Sequence, residues 1–108
     1  MPVGDYMYAD QMNAAIKTAH DKKLFGQMAI YFESCESGSM FENLLKPEWG
    51  VYAMSATNSE EGSWAAYCPP SDMIDQVEMN TCLGDWFSAR WMEDSDRVHP
   101  LNSETLKK

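Results

Sequence analysis

From Ala9 to Lys22 the apolar residues Met12, Ala15, Ile16 and Ala19 recur at spacings of three and four, which predicts an amphipathic helix. Asp10 near its start and Lys22 and Lys23 at its end carry the charges that suit a helix dipole. Gly26 breaks this pattern. The run Met28-Ala29-Ile30-Tyr31-Phe32 is then apolar throughout, too short for a helix and bounded by polar residues, which predicts a buried strand. Ser37-Gly38-Ser39 predicts a turn, Met40 to Leu45 a brief helix stopped by Pro47, and Gly50 to Ala56 a second strand. Helix, strand, helix, strand is the rhythm of an α/β chain with a parallel sheet.

Between Asn58 and Thr81 the periodicity dissolves into a long connection containing Glu60, Glu61, Pro69, Pro70, Asp72 and Asp75. Connections of this length inside a compact domain usually carry function or mobility. A helical period returns from Leu83 to Asp94, with Leu83, Trp86, Phe87 and Trp91 offset by three and four, and Asp94-Ser95-Asp96 is expected to end it. Ser103 to Lys108 reads as a helix that Ser103 caps and nothing terminates, as if the chain stopped within an element.

Composition narrows the function. Seventeen Asp and Glu against eight Lys and Arg give a net charge of −9 in 108 residues, a field that repels phosphate backbones and anionic lipid. Nucleic acid and membrane are therefore not expected partners. No apolar run approaches the roughly 20 residues of a membrane span, and Met1-Pro2-Val3-Gly4-Asp5 has neither the basic flank nor the apolar stretch of a signal peptide. Taken literally, these features suggest a cytosolic chain. Three cysteines, Cys35, Cys68 and Cys82, cannot all pair within one chain and lack the spacing of a zinc site. Glu93-Asp94-Ser95-Asp96 lacks the glycine and closing glutamate of a calcium loop, so no metal or other cofactor is expected. The nine methionines are scattered, which suits core filling better than a binding groove.

Cys35 follows directly on the first predicted strand and precedes a glycine-containing turn. Ligands of open α/β sheets bind at the carboxyl ends of strands, so Cys35 stands where a substrate would arrive. A cysteine outside a disulfide is more often a packing residue than a nucleophile, and position alone does not assign it a role.

The segment Glu33-Ser34-Cys35-Glu36-Ser37-Gly38-Ser39-Met40 resembles the Glu-Ala-Cys-Glu-Ser-Gly-Ser nucleophile motif of the legumain-like cysteine proteases, the asparaginyl endopeptidases and plant vacuolar processing enzymes. Further matches follow in the family's order: Val51-Tyr52-Ala53, Ala56-Thr57-Asn58, Glu61-Gly62-Ser63-Trp64, Tyr67-Cys68-Pro69, Cys82-Leu83-Gly84-Asp85-Trp86 and Trp91 to Asp96. The resemblance implies that residues 1–108 are a central to C-terminal part of a catalytic domain with a caspase-like three-layer α/β/α fold and a mainly parallel sheet. It implies Cys35 as nucleophile and donor of an oxyanion-hole backbone N–H, with cleavage of peptide bonds after asparagine. Glu33 and Asp85 match acidic residues of the specificity pocket, and Ser63 and Trp64 match substrate contacts, whereas Gly62 replaces a serine of the family's usual pair. Carboxylates suit the amide N–H donors of asparagine, and an aspartate would enter only when protonated, at acidic pH. A Cys68–Cys82 disulfide is also implied. It would leave Cys35 as the odd thiol, and it contradicts the cytosolic reading, because structural disulfides belong to secretory compartments. A vacuole or lysosome is then expected for the full-length enzyme, and acidity there would ease the mutual repulsion of the carboxylates.

The family's catalytic His-Gly pair lies further before the nucleophile than the 34 residues available here. His20 falls where the family has ordinary helix-surface residues, and His99 sits in a loop before Pro100; neither is expected to be the base. The chain is therefore expected to be inactive alone, its partners being peptides with asparagine at the cleavage site and the missing part of its own catalytic domain. A second reading is a short noncatalytic protein that binds peptides or a protease. A third is a peptide ligase, which nothing in these residues separates from a hydrolase.

Overall fold

The computed structural model describes residues 4–97, and the chain divides at Gly62–Ser63 into two compact units. The predicted terminal helix from Ser103 and His99 lie outside the described residues.

In the first unit, helix α1 spans Ala9–Asp21. Gln11 Oε1 accepts the Tyr8 N–H at 3.0 Å, and Tyr8 O accepts the Met12 N–H at 3.1 Å, which starts the helix. The end differs from expectation. Lys23, not Gly26, takes the left-handed conformation with φ 54°. The Lys23 N–H reaches His20 O at 2.8 Å and the Leu24 N–H reaches Ala19 O at 3.0 Å, a Schellman closure built without glycine. On the helix surface Asp21 accepts from Lys17 and from His20, and these contacts, Lys17 first, hold its carboxyl below the usual range. Asn13, which the apolar pattern passed over, is buried on α1. Its Nδ2 donates to Met40 O at 2.7 Å and Ala9 O at 2.8 Å, fastening the helix to the turn that follows the first strand.

Strands β1 (Met28–Phe32) and β2 (Val51–Ser55) pair in parallel, from Met28 opposite Val51 to Phe32 opposite Ser55. The predicted burial of β1 is not met: Ala29 and Tyr31 are exposed while Met28, Ile30 and Phe32 are half-buried. Side chains on a strand alternate between faces, and an apolar run is covered on both only where packing exists on both. The predicted helix from Met40 to Leu45 does not form either. In its place a 3-10 turn covers Ser37–Met40 and a second one Pro47–Trp49. Between them Asn43, at φ 59°, lies outside helical dihedrals and interrupts any longer helix.

The second unit is built from short pieces. Strand β3 (Ala65–Ala66) pairs antiparallel with β6 (Gly84–Asp85), and β4 (Met73–Ile74) with β5 (Val77–Glu78). The β4–β5 hairpin turns on Asp75 and Gln76, at φ 48° and 68°, so both central residues are left-handed as in a type I′ turn. At its base Cys68 and Cys82 form a disulfide, and the Leu83 N–H donates to Tyr67 O at 3.3 Å. A mainly parallel sheet is therefore not what forms among the described residues, where one strand pair is parallel and two are antiparallel. The tight hairpin can only be antiparallel, since a parallel return needs a crossover of about a dozen residues or more.

Helix α2 runs Trp86–Arg97, starting later and ending later than predicted. Its start waits for the β6 pairing, and Asp94-Ser95-Asp96 does not stop it, because Ser95 Oγ turns back onto Trp91 O at 2.8 Å and leaves the helix intact. Tyr67 donates its hydroxyl to Glu93, whose carboxylate also faces Arg90 at 3.8 Å and Arg97 at 3.6 Å. The Arg90 guanidinium lies 4.6 Å above the Trp86 ring.

Few large apolar side chains are enclosed. The buried apolar residues are Ile16 in the first unit and Ala66 and Ala89 in the second, among the described residues, and of these Ala66 alone is fully enclosed. Tyr6 (81%), Leu24 (71%) and Trp64 (78%) stand open. With so little apolar burial, the covalent bridge matters disproportionately. Replacing Cys68 and Cys82 together by alanine is expected to lower the stability of the second unit by about 3 kcal/mol through loss of loop closure. Urea unfolding followed by the fluorescence of Trp64, Trp86 and Trp91 measures it, and an unchanged midpoint would refute it.

Candidate active site

Cys35 lies just beyond the carboxyl end of β1, in the turn that leads into Ser37–Met40, and is exposed. Ser34 Oγ donates to Cys35 O at 3.0 Å. Glu36, the next residue, is left-handed at φ 53°. A side chain there costs about 1 kcal/mol or more, so its surroundings must hold it. They do so from both sides: the Glu36 N–H donates to Glu61 O at 2.7 Å, and Glu36 O accepts the Ser39 N–H at 2.9 Å.

The same turn is locked onto the loop beyond β2. Ser37 is completely buried. Its N–H donates to Thr57 Oγ1 at 3.0 Å while the Thr57 N–H donates to Ser37 Oγ at 3.0 Å, and the two hydroxyl oxygens lie 3.1 Å apart. The Gly38 N–H adds a bond to Thr57 O at 3.0 Å. Glycine is required here by close approach, because a Cβ on Gly38 would sit 2.8 Å from the Asn58 carbonyl carbon. Asn58 in turn shapes the next turn, its Oδ1 accepting the N–H groups of Glu60 at 2.8 Å and Glu61 at 2.9 Å. This brings Gly62 beside the thiol: a Cβ there would stand 3.9 Å from Cys35 Sγ.

Among the other residues singled out in the sequence, Glu33 belongs to the first unit and is half-buried, with its Oε1 enclosed. Ser63, Trp64 and Asp85 belong to the second unit. There Asp85 lies opposite Ala65, the Trp86 N–H donates to Trp64 O at 3.0 Å, and Trp64 is mostly exposed. His20 stays on α1, its Nδ1 3.3 Å from Asp21 and its ring 6.4 Å from Phe25. Among the described residues no group of three or more His, Cys, Asp and Glu is placed to hold a metal. Sequence reasoning gave no role to Ser37, Thr57 or Asn58. The available signal was a small hydroxyl or amide residue shortly after each strand, the residue types that bond to backbone in turns.

Thr57→Val removes the hydroxyl that serves Ser37 and leaves buried donors unanswered, so it is expected to cost about 1–3 kcal/mol. Gly38→Ala is expected to cost about 1–3 kcal/mol by overpacking against backbone. Ser39→Ala, at an exposed neighbour, is expected to stay within about 0.5 kcal/mol. Urea unfolding followed by far-ultraviolet circular dichroism measures all three, and equal midpoints would count against the clasp.

Comparison with known proteins places this geometry in a lineage. The model of the Peptidase C13 family matches residues 1–108. Over 107 residues the chain is 48% identical to the vacuolar-processing enzyme delta-isozyme of Arabidopsis thaliana and 46% identical to a vacuolar-processing enzyme of Vicia sativa, covering 99% of this chain in each case. It is 45% identical over 106 residues to a vacuolar-processing enzyme of Citrus sinensis. The chain spans only 23%, 22% and 21% of the lengths of these relatives. It belongs to the peptidase C13 family, the legumain family of peptidases.

Proposed function

We propose that the chain is the nucleophile-bearing segment of a cysteine endopeptidase of caspase-like α/β/α fold that cleaves after asparagine in a vacuolar compartment, with Cys35 as the nucleophile. The observation that carries this reading is an exposed thiol at the carboxyl end of a parallel strand, on a turn braced by buried hydrogen bonds to the loop after the neighbouring strand. The names of the relatives support the vacuolar location.

In this mechanism the Cys35 thiolate adds to the main-chain carbonyl carbon of the asparagine residue. The backbone N–H of Cys35 is one donor to the oxyanion that forms. The carbon–nitrogen bond then breaks, the amine leaves with a proton from a histidine, and a thioester remains for water to hydrolyse. By the resemblance alone, Glu33 in the first unit and Asp85, Ser63 and Trp64 in the second are assigned as substrate-binding residues, each within its own unit. His20 is not assigned as the base, because its ring is engaged at the side of α1 with Asp21 and Phe25. We assign the base to the portion of the relatives' length that this chain does not span, and the chain alone is taken as inactive.

A chimera in which residues 1–108 replace the matching segment of the Arabidopsis thaliana delta-isozyme tests this. It is expected to cleave a peptide containing one asparagine on the carboxyl side of that residue, and Cys35→Ser to reduce the rate by roughly a thousandfold or more. An aspartate peptide should be cut only as pH falls toward about 3.9, where its own carboxyl becomes neutral. Mass spectrometry of the products identifies the bond and separates hydrolysis from ligation. A folded chimera that leaves the peptide whole, or a serine variant that retains the rate, overturns the proposal.

A further inference from the structure

Gly62 is unusual among the glycines of this chain in what it faces. Among the described residues and outside its chain neighbours, the heavy atom within 4 Å of an added Cβ is Cys35 Sγ, at 3.9 Å. No left-handed φ calls for glycine there, in contrast to Gly4 and Gly50. No backbone presses on it, in contrast to Gly38. Conformational freedom and close packing are thus both removed as reasons for the missing side chain. What its absence does is place no Cβ on that side of the sulfur.

The position of that flank is fixed from two directions. The Glu36 N–H holds Glu61 O at 2.7 Å, directly joining the residue after the thiol to the residue before Gly62. Asn58 Oδ1 pins the Glu60 and Glu61 N–H groups, so residues 58–61 form a closed turn rather than a loose arm. Gly62 therefore stays beside Sγ, and the first atom of any side chain placed there would lie 3.9 Å from the sulfur.

We propose that Gly62 determines which electrophiles reach the Cys35 sulfur, its bare backbone admitting reactants with bulk adjacent to the reacting carbon. This rests on the reading of Cys35 as the nucleophile. The substrates it favours are peptides in which the residue after the scissile bond is branched or aromatic. Alanine at this position would narrow the approach, and valine would narrow it more, while a small electrophile would still arrive along the open side.

Alkylation of the full chain tests the inference without requiring peptide cleavage. With iodoacetamide the thiolate forms a sulfur–carbon bond as iodide leaves. With a pyrene-substituted maleimide it adds across the ring double bond, and the neighbouring carbon takes a proton from water. Gly62→Val is expected to slow the maleimide about tenfold and iodoacetamide less than about twofold, a selective barrier of the size one misplaced methyl group creates. Gly62→Ala should fall between Gly62→Val and the unaltered chain, and Cys35→Ser gives the background. If Gly62→Val does not fold, as judged by circular dichroism, Gly62→Ala carries the comparison, since its added atom makes only an ordinary contact. Equal slowing of both reagents, or no change in either, overturns the inference. A shifted ratio in a chain whose chimera does not cleave peptide would sink the peptidase reading and leave the role of Gly62 standing, and the reverse pattern would do the opposite.

Discussion

The reciprocal hydrogen bonds between Ser37 and Thr57 hold the ends of two parallel strands together. Each residue donates its backbone N–H to the other's hydroxyl oxygen, both at 3.0 Å, and Ser37 is wholly buried in doing so. A hydrogen bond made on folding contributes only about 1 kcal/mol net, whereas a buried donor left without its acceptor costs about 1–3 kcal/mol. The asymmetry gives the clasp its importance. In a unit where Ile16 is the buried apolar side chain among the described residues, a polar junction that must be made completely or not at all decides where the loops rest. The Gly38 backbone then closes on Asn58 so tightly that no side chain fits, and the turn bearing Cys35 inherits its position from these contacts.

The strain at Glu36 follows from this arrangement. A short turn leaving β1 must both reach the buried site of Ser37 and leave Cys35 exposed, and the left-handed residue between them makes the two compatible. Two backbone hydrogen bonds flank Glu36, one across to Glu61 and one forward to Ser39. Together they are of the size needed to hold a conformation that costs about 1 kcal/mol. A thiol carried on such a turn is presented by fixed backbone, which is what a nucleophile needs if the reacting atoms are to meet in one geometry.

Much of the regular structure was legible in the chain because it depends on local pattern. The helix from Ala9 and the strand Met28–Phe32 were read from apolar spacing, and the second strand to within one residue at each end. Failures came where a side chain or a distant partner replaced the expected residue. Lys23 does what glycine usually does, Asp75 and Gln76 make a hairpin turn without glycine, and Ser95 stays in a helix where serine was expected to end one. Burial of β1 could not be read from its composition, since an apolar run states what a strand would tolerate and not what is there to cover it. At the candidate site, the placement of Cys35 just after a strand was legible, but the Ser37–Thr57 clasp joins residues twenty apart, and no period or motif announces such a pair.

The two units secure themselves by different chemistry, and the difference bears on the proposed vacuolar setting. The first relies on buried hydrogen bonds around an exposed thiol, the second on the Cys68–Cys82 disulfide. A compartment oxidising enough to preserve a disulfide also threatens a reactive thiol. Acidity reconciles the two requirements. Thiol–disulfide exchange proceeds through the thiolate, so its rate falls about tenfold for each pH unit below an ordinary thiol's pKa of about 8.5. Low pH thus slows attack on the bridge by stray thiols and slows the capture of an unguarded thiol into mixed disulfides. On the proposed reading of Cys35 as the nucleophile, it also leaves reactivity dependent on a locally generated thiolate, which makes a base beside the sulfur the component that restores it. On that reading bridge and thiol are compatible in an acidic, oxidising compartment, and the sulfur is usable there only through a neighbour that supplies the base.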